Sequence, residues 1–343
     1  MAKVKALILF SGGLDSLLGV KILQAQSIEV VGVCFRSSFF SADKAREAAR
    51  NLGIELKIVD ISSEILELVK NPPNGYGRHL NPCIDCHSLM IKKAAKILKK
   101  ERYDFIATGE VLGQRPFSQN KDAIESISRL SGTEVLRPLS AKLLRETEIE
   151  KKRLVNRGRL LNIRGRRRER QIELAKKYKL KEIPSPSGGC LLTDPGFSNR
   201  LMKMLDYWPD CNLNDIELLK NGRVFWLPLK DVNNKIIIVI GRYLSDNENL
   251  EKLAINSDIM LKLKEVTGPT TLIRTKEQNI IINKIKKQEK EINIDIPDTL
   301  KMSSLKLGEE KDFKEIIEIA ALLTGYYSTK ARGKNVFINI DLI

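Results

Sequence analysis

Residues 3–24 read KVKALILFSGGLDSLLGVKILQ, and the fold is read outward from them. Residues 3–10 are a β-prone apolar run, long enough for one buried strand. The run stops at Ser11-Gly12-Gly13-Leu14-Asp15-Ser16, and LLGVKILQ continues with helical spacing. Strand, glycine loop, helix opens a βα unit, and the pattern repeats downstream. IEVVGVCF (28–35) predicts a second strand and ADKAREAARNLG (42–53) an amphipathic helix closed by Gly53. ELKIVDI (55–61) predicts a third strand, SLMIKKAAKILKKERY (88–103) a helix, and DFIATGE (104–110) a fourth strand. Strands that are continuous apolar runs, alternating with helices, predict an α/β domain with a doubly wound parallel sheet covered on both faces. Ligands of such sheets bind beyond the carboxyl ends of the strands, where loop 11–16 falls.

Near residue 196 the character changes. FSNRLMKMLDYW (197–208) reads as a helix, and RVFWLPL (223–229), KIIIVIGRYL (235–244), DIMLKLK (258–264) and TTLIRT (270–275) as short strands. A charged stretch, Lys284–Glu291, precedes a helix at FKEIIEIAALLTGYY (313–327) and a closing strand at NVFINIDLI (335–343). The 343 residues suit two domains: an α/β domain over 1–195, and a smaller α+β domain with a mainly antiparallel sheet over 196–343.

Lys and Arg number 59 against 43 Asp and Glu, a net charge of +16. Residues 151–190 concentrate it, with 14 basic residues against 3 acidic. Arg164, Arg166, Arg167, Arg168 and Arg170 crowd around Gly165, and guanidinium forks match phosphates. A solvated helix face would read the same way; an RNA backbone partner is the functional expectation. No apolar run approaches the roughly 20 residues of a membrane span, and the first residues lack a signal-peptide pattern. Five cysteines, Cys34, Cys83, Cys86, Cys190 and Cys211, argue for a reducing compartment, so the expected location is cytoplasmic.

Three features carry chemistry. The glycines of loop 11–16 let backbone N–H groups approach an anion, with a helix N-terminus behind and Ser11 and Ser16 as hydroxyl donors. The loop suits pyrophosphate but is not a Walker A loop. Asp15 there reads as a Mg²⁺ ligand or a polar anchor. Second, Cys83 and Cys86 form a CxxC, with Cys190 far downstream in PSPSGGC, where Gly188 and Gly189 would allow a close approach. Three thiolates suit a [4Fe–4S] cluster with one iron left open. Zinc completed by His79 or His87, redox use, and incidental buried thiols are the alternatives. Third, the arginines around Gly165 offer phosphate contacts, whereas Cys34 lies inside a strand and reads as core.

SGGLDS resembles the signature of the PP-loop ATP pyrophosphatases. Residues 108–114, TGEVLGQ, resemble a loop of tRNA 4-thiouridine synthetases, and residues 81–86, NPCIDC, are similar to the cysteine loop of tRNA 2-thiouridylases. RPLS at 137–140 is also similar to a thiolase segment. The likeness spans roughly residues 1–195. It implies that ATP binds at Ser11, Gly12, Gly13, Asp15 and Ser16, with Gly109 near the nucleotide and Phe35 near the adenine. It implies a tRNA uridine sulfurtransferase: Mg²⁺ and Asp15 assist adenylation of a uridine oxygen, and sulfur arrives through Cys83, Cys86 and Cys190. The sulfur is carried on the cluster or as a cysteine persulfide, supplied by sulfide or a cysteine desulfurase. The sequence shows no N-terminal RNA-binding extension like that expected of 4-thiouridine synthetases, so carbon 2 and carbon 4 both stay open. Residues 196–343 weakly resemble an NFACT-type RNA-binding domain, through Gly241-Arg242, Asn247 and residues 321–328, ALLTGYYS, where Tyr326 or Tyr327 would stack on a base. Other readings are a PP-loop amide-forming ligase acting on a small molecule, an RNA-binding factor that only senses nucleotide, and a CxxC redox protein.

Overall fold

The apolar runs at the start of the chain pair side by side. The computed structural model describes residues 3–184, 189–230, 235–277, 288–294 and 307–343. Gly188, Pro186 and the first four residues of the charged stretch Lys284–Glu291 lie outside the described residues. Strands β1 (Lys5–Leu9), β2 (Glu29–Arg36), β3 (Leu56–Asp60), β4 (Phe105–Thr108) and β5 (Val135–Leu136) form one sheet in the order β3-β2-β1-β4-β5. Every pairing in it is parallel. The order reverses about β1, so β1 and its neighbours open a crevice at their carboxyl ends.

Helices α1 (Leu14–Gln24), α2 (Asp43–Leu52), α3 (Ser62–Lys70), α4 (Cys83–Glu101), α5 (Lys121–Ser131), α6 (Glu148–Lys151) and α7 (Glu169–Lys177) connect and cover these strands. Eight of the eleven residues of α1 are buried. Gly53 adopts φ +65° and ends α2, as its position predicts. The sequence pattern missed α3 and α5, and it started α4 five residues late. CIDCHS carries no apolar periodicity, so the first turn of α4 was invisible to a pattern search.

The chain divides into two compact units, Met1–Pro195 and Gly196–Ile343. The second holds α8 (Pro195–Tyr207), α9 (Leu213–Leu218), α10 (Leu244–Leu253) and α11 (Phe313–Tyr326). Its strands are β6 (Arg223–Pro228), β7 (Lys235–Ile240), β8 (Ile259–Leu263), β9 (Thr271–Arg274), β10 (Gln288–Asn293) and β11 (Asn335–Leu342). They make one sheet, β10-β11-β8-β9-β7-β6, with every pairing antiparallel. The charged stretch ends as edge strand β10, where charge discourages pairing with another chain. Arg274 is a buried hub: its Nη2 lies 2.7 Å from Asp258 and its Nη1 3.0 Å from Asp215.

Candidate nucleotide and sulfur site

Loop 11–16 leaves β1 and enters α1. Gly12 has φ +75°, and a Cβ there would lie 2.5 Å from the backbone oxygen of Lys44 on α2. Only glycine takes both the conformation and the contact. Gly13 caps α1 with no side-chain bond, so no side chain covers N–H groups that lack partners within the helix. The Ser16 hydroxyl donates to the Gly13 carbonyl at 2.7 Å, and the Gly13 N–H reaches the Ser11 hydroxyl at 3.4 Å. The result is an uncapped, positive helix end behind a flat backbone loop, a ready anion cradle.

The loop after β4 lies flush against this cradle. A Cβ on Gly109 would meet the Asp15 carbonyl carbon and the Ser16 nitrogen at 2.6 Å. The Gln114 side chain donates to Asp15 Oδ2 at 2.8 Å. Asp15 Oδ1 and Gln114 Oε1 are buried and make no hydrogen bond of normal geometry, although the Gln171 amide on α7 stands close enough to Asp15 to lower its carboxyl. Burial raises the Asp15 carboxyl, against the Gln114 bond, the charge of Arg168, the Gln171 amide and the charge of Arg115. Buried orphan oxygens are costly, and a cation on phosphate would satisfy the one on Asp15. Phe35, by contrast, is only 5% exposed and packs within the sheet, leaving almost none of its ring for a base.

Sequence reading did not find the network around Glu110. His87 Nδ1 lies 2.8 Å from Glu110 Oε1, while Arg137 Nε and Thr108 Oγ1 donate to Oε2 at 2.9 and 3.1 Å. RPLS thereby gains a local role: Arg137 clamps Glu110, and the Ser140 hydroxyl accepts from Leu112 N–H and donates to the Ile163 carbonyl. Burial alone would raise the Glu110 carboxyl. The Arg137 guanidinium and His87 outweigh it and hold the group at about 2, below the usual 4.5. A carboxylate held low contributes stability that is present above its unfolded pKa and lost as the pH falls toward 2. We therefore expect roughly 3 kcal/mol of acid-sensitive stability from this group. Glu110→Gln strands a buried Arg137, so denaturant unfolding at pH 7 should read a loss of about 3–5 kcal/mol. A variant as stable as wild type would show that the clamp contributes nothing.

Cys83 and Cys86 both sit in the first turn of α4, one helical turn apart. The CxxC is thus held on a helix and not in a loop. Asn81 Nδ2 donates to Cys83 Sγ at 3.2 Å, and buried Asp85 fixes Asn74 through two bonds. Cys190 follows on a separate segment, docked where the Leu191 N–H meets the Phe39 carbonyl at 2.9 Å. Burial pushes the Cys190 thiol up to about 11, with Cys83 adding to the shift and the Leu192 N–H and Arg115 opposing it. Cys86 is pushed up by burial, then by Cys190 and Cys83. The three thiols are therefore electrostatic neighbours, and Arg115 acts on Cys190 and Asp15 alike. A Cβ on Gly189 would meet nothing within 4 Å, so this glycine is not what brings Cys190 close.

Among the described residues no three His, Cys, Asp or Glu side chains are gathered around a single-ion position. His87 Nδ1 is engaged by Glu110, which leaves its Nε2 as the one ring nitrogen that could ligate a metal. A four-iron cube spreads its cysteine sulfurs more widely than one zinc ion does, and three thiolates are the donor set that such a cube with one open iron would need. Cys34 is buried in the core of the first unit, its thiol pushed up to about 11 by burial. Cys211 is also buried.

The arginine segment returns to the same loop. Gly165 N–H donates to the Leu112 carbonyl at 2.8 Å. Leu112, Gly113, Arg164, Gly165, Arg166 and Arg167 line an open notch of about 620 Å³. Arg168 instead donates to the Pro184 carbonyl and Arg170 to Asn162 Oδ1. In the second unit, Arg223 lies 4.1 Å from the centroid of the Tyr327 ring, and Arg332 lies 5.2 Å from that of Tyr326. Gly325 leaves room for Ile294, whose Cδ1 would stand 2.2 Å from a Cβ there, and Asn247 Oδ1 accepts from the Thr270 N–H. Much of the segment 321–328 therefore serves packing. Among the described residues no helix is long and apolar enough to cross a membrane.

A parallel sheet ordered 3-2-1-4-5, with SGGLDS at its central carboxyl end, is a doubly wound α/β domain with a glycine loop at its switch point. Residues 1–152 match the family model described as thiamine biosynthesis protein (ThiI). That match covers most of the first unit and less than half of the chain. The chain is 36% identical over 112 residues to a tRNA-specific 2-thiouridylase MnmA 3 of Bacteroides fragilis, covering 32% of this chain and 31% of that one. It is 28% identical over 144 residues to a probable tRNA sulfurtransferase of Geobacillus thermodenitrificans, covering 39% and 34%. The chain thus spans about a third of the length of these curated relatives. A 4-thiouridine synthetase solved as an RNA complex with bound ATP aligns with a TM-score of 0.36 and 24% identity, covering 62% of this chain and 52% of that one.

Proposed function

We propose that the chain is an ATP-dependent tRNA sulfurtransferase that converts a uridine carbonyl to a thiocarbonyl. What supports this reading is that three thiols from two segments act on one another electrostatically, and that Arg115, whose charge reaches Cys190, also reaches Asp15 in the glycine loop. The names of the relatives point the same way.

The backbone of residues 11–13 and the end of α1 would hold the ATP phosphates, and Asp15 Oδ1 suits a Mg²⁺ ion, which would offset the charge gathering on pyrophosphate. The uridine oxygen attacks the α-phosphorus, forming a P–O bond as the bond to pyrophosphate breaks. Hydrosulfide sulfur then bonds to the activated carbon, and AMP leaves with the original oxygen. A [4Fe–4S] cluster on Cys83, Cys86 and Cys190 would supply that hydrosulfide at the iron that lacks a protein ligand. With or without it, these half-buried residues would hold the sulfur for transfer to the activated carbon. Base extrusion brings a stacked uridine within reach.

Arg164, Arg166 and Arg167 would take RNA phosphates in their notch, and Tyr326 and Tyr327 with their arginines would add contacts in the second unit. Replacing the three notch arginines by alanine should weaken tRNA binding. It should also lower the slope of log affinity against log salt by about 3, read by filter binding at several salt concentrations. An unchanged slope would remove the notch from the interface. The deciding test of the function is nucleoside mass spectrometry of RNA from a strain lacking this chain. Loss of one thionucleoside is expected, and an unaltered profile would refute the reading.

A further inference from the structure

One buried tie joins the two halves of the proposed site without touching either reactant. Glu110 follows Gly109, whose backbone is flush against Asp15 and Ser16. Its carboxylate is held at about 2, so it is ionised and only accepts hydrogen bonds. His87 Nδ1, 2.8 Å away, must therefore carry the hydrogen and donate it. His87 is the residue after Cys86 on α4. Arg137, anchored to the Val135 carbonyl at the end of β5, and Thr108 fix the other carboxylate oxygen. On the far side of the same loop, Gln114 is bonded to Asp15. The nucleotide loop is thus pinned at both ends, by one carboxylate to α1 and by another to the cysteine helix.

We propose that His87 and Glu110 are a positioning pair that sets the CxxC helix against the nucleotide loop, so that sulfur delivery is in register with the adenylated oxygen. The inference rests on the sulfurtransferase reading and deepens it. A misplacement of about 1 Å between reacting groups costs on the order of a hundredfold in rate. A bond to a buried ionised carboxylate resists such slippage better than a neutral one. His87 would act on sulfur transfer and not on adenylation, because the loop's contacts to α1 through Gly109 and Gln114 do not pass through it.

The full chain, purified without oxygen, is assayed with tRNA, ATP and hydrosulfide, and AMP and thiouridine are counted together. His87→Ala should raise the AMP released per thiouridine about tenfold or more over wild type, as activated RNA is lost to water. His87→Asn places an amide donor where Nδ1 stood and should restore most of the wild-type ratio. A folded His87→Ala protein with the wild-type ratio, or one losing both products equally, overturns the pair. So does failure of His87→Asn to rescue a shifted ratio. A second readout does not need thiouridine: alkylation of Cys83 and Cys86 by iodoacetamide should change in rate on addition of ATP in wild type and not in His87→Ala. If wild type binds ATP yet makes no thiouridine, the function falls while this rate difference still decides for or against the tie.

Discussion

Replacing Cys190 by alanine is expected to abolish thiouridine formation while RNA-dependent AMP release persists. The two steps use different atoms. In the proposed mechanism phosphate binding uses the backbone of loop 11–16 and the end of α1, whereas the Cys190 segment is docked on Phe39. Sulfur needs all three thiols. With Cys190 gone, Cys83 and Cys86 remain on one turn of α4, and neither a three-ligand site nor a partner thiol for persulfide exchange is left. Mass spectrometry of the tRNA should read a loss of at least a thousandfold, as for removal of a group that bonds directly to the transferred atom. Iron and sulfide analysis of the same variant, purified without oxygen, separates the two carriers: loss of bound iron supports a cluster, and an iron-free wild type supports persulfide. Full thiolation by Cys190→Ala would defeat the three-thiol site whichever carrier is used.

Gly12→Ala should do the reverse and remove nucleotide binding. Two costs coincide. A φ of +75° costs an L-residue about 1 kcal/mol or more, and the new Cβ would stand 2.5 Å from the Lys44 oxygen and 2.8 Å from the Ala45 nitrogen. Both are backbone atoms of α2, so no side chain can rotate away. The loop must lift from α2, and the N–H groups turn away from the phosphates. Isothermal titration should show ATP affinity reduced by about a hundredfold or more, since several charge-assisted hydrogen bonds of roughly 1.5–3 kcal/mol each are misaligned together. A melting temperature lowered by several degrees would accompany it. Unchanged ATP affinity would show that the loop is not the phosphate cradle.

The sequence alone determined the periodic parts. Continuous, β-prone apolar runs at Lys3–Phe10, Ile28–Phe35 and Phe105–Thr108, alternating with helical spacing, point to strands covered on both faces, so the parallel sheet was legible from residue type and order. SGGLDS after the first of them places an anion site at its carboxyl end. The CxxC, the third cysteine and the arginine cluster were legible as composition. What the sequence could not determine was register in space. The first turn of α4 has no apolar stripe, because it carries two cysteines and an aspartate, and Asp85 is buried on the polar groups of Asn74 and not on apolar neighbours. Glu110, His87 and Arg137 are far apart in the chain and unremarkable in type. Only folding buries the carboxylate between a guanidinium and an imidazole, and a charge shows its partners only once water has been removed from around it. In the same way, tertiary packing, not motif, decided that Phe35 belongs to the core and that Gly325 serves the packing of α11.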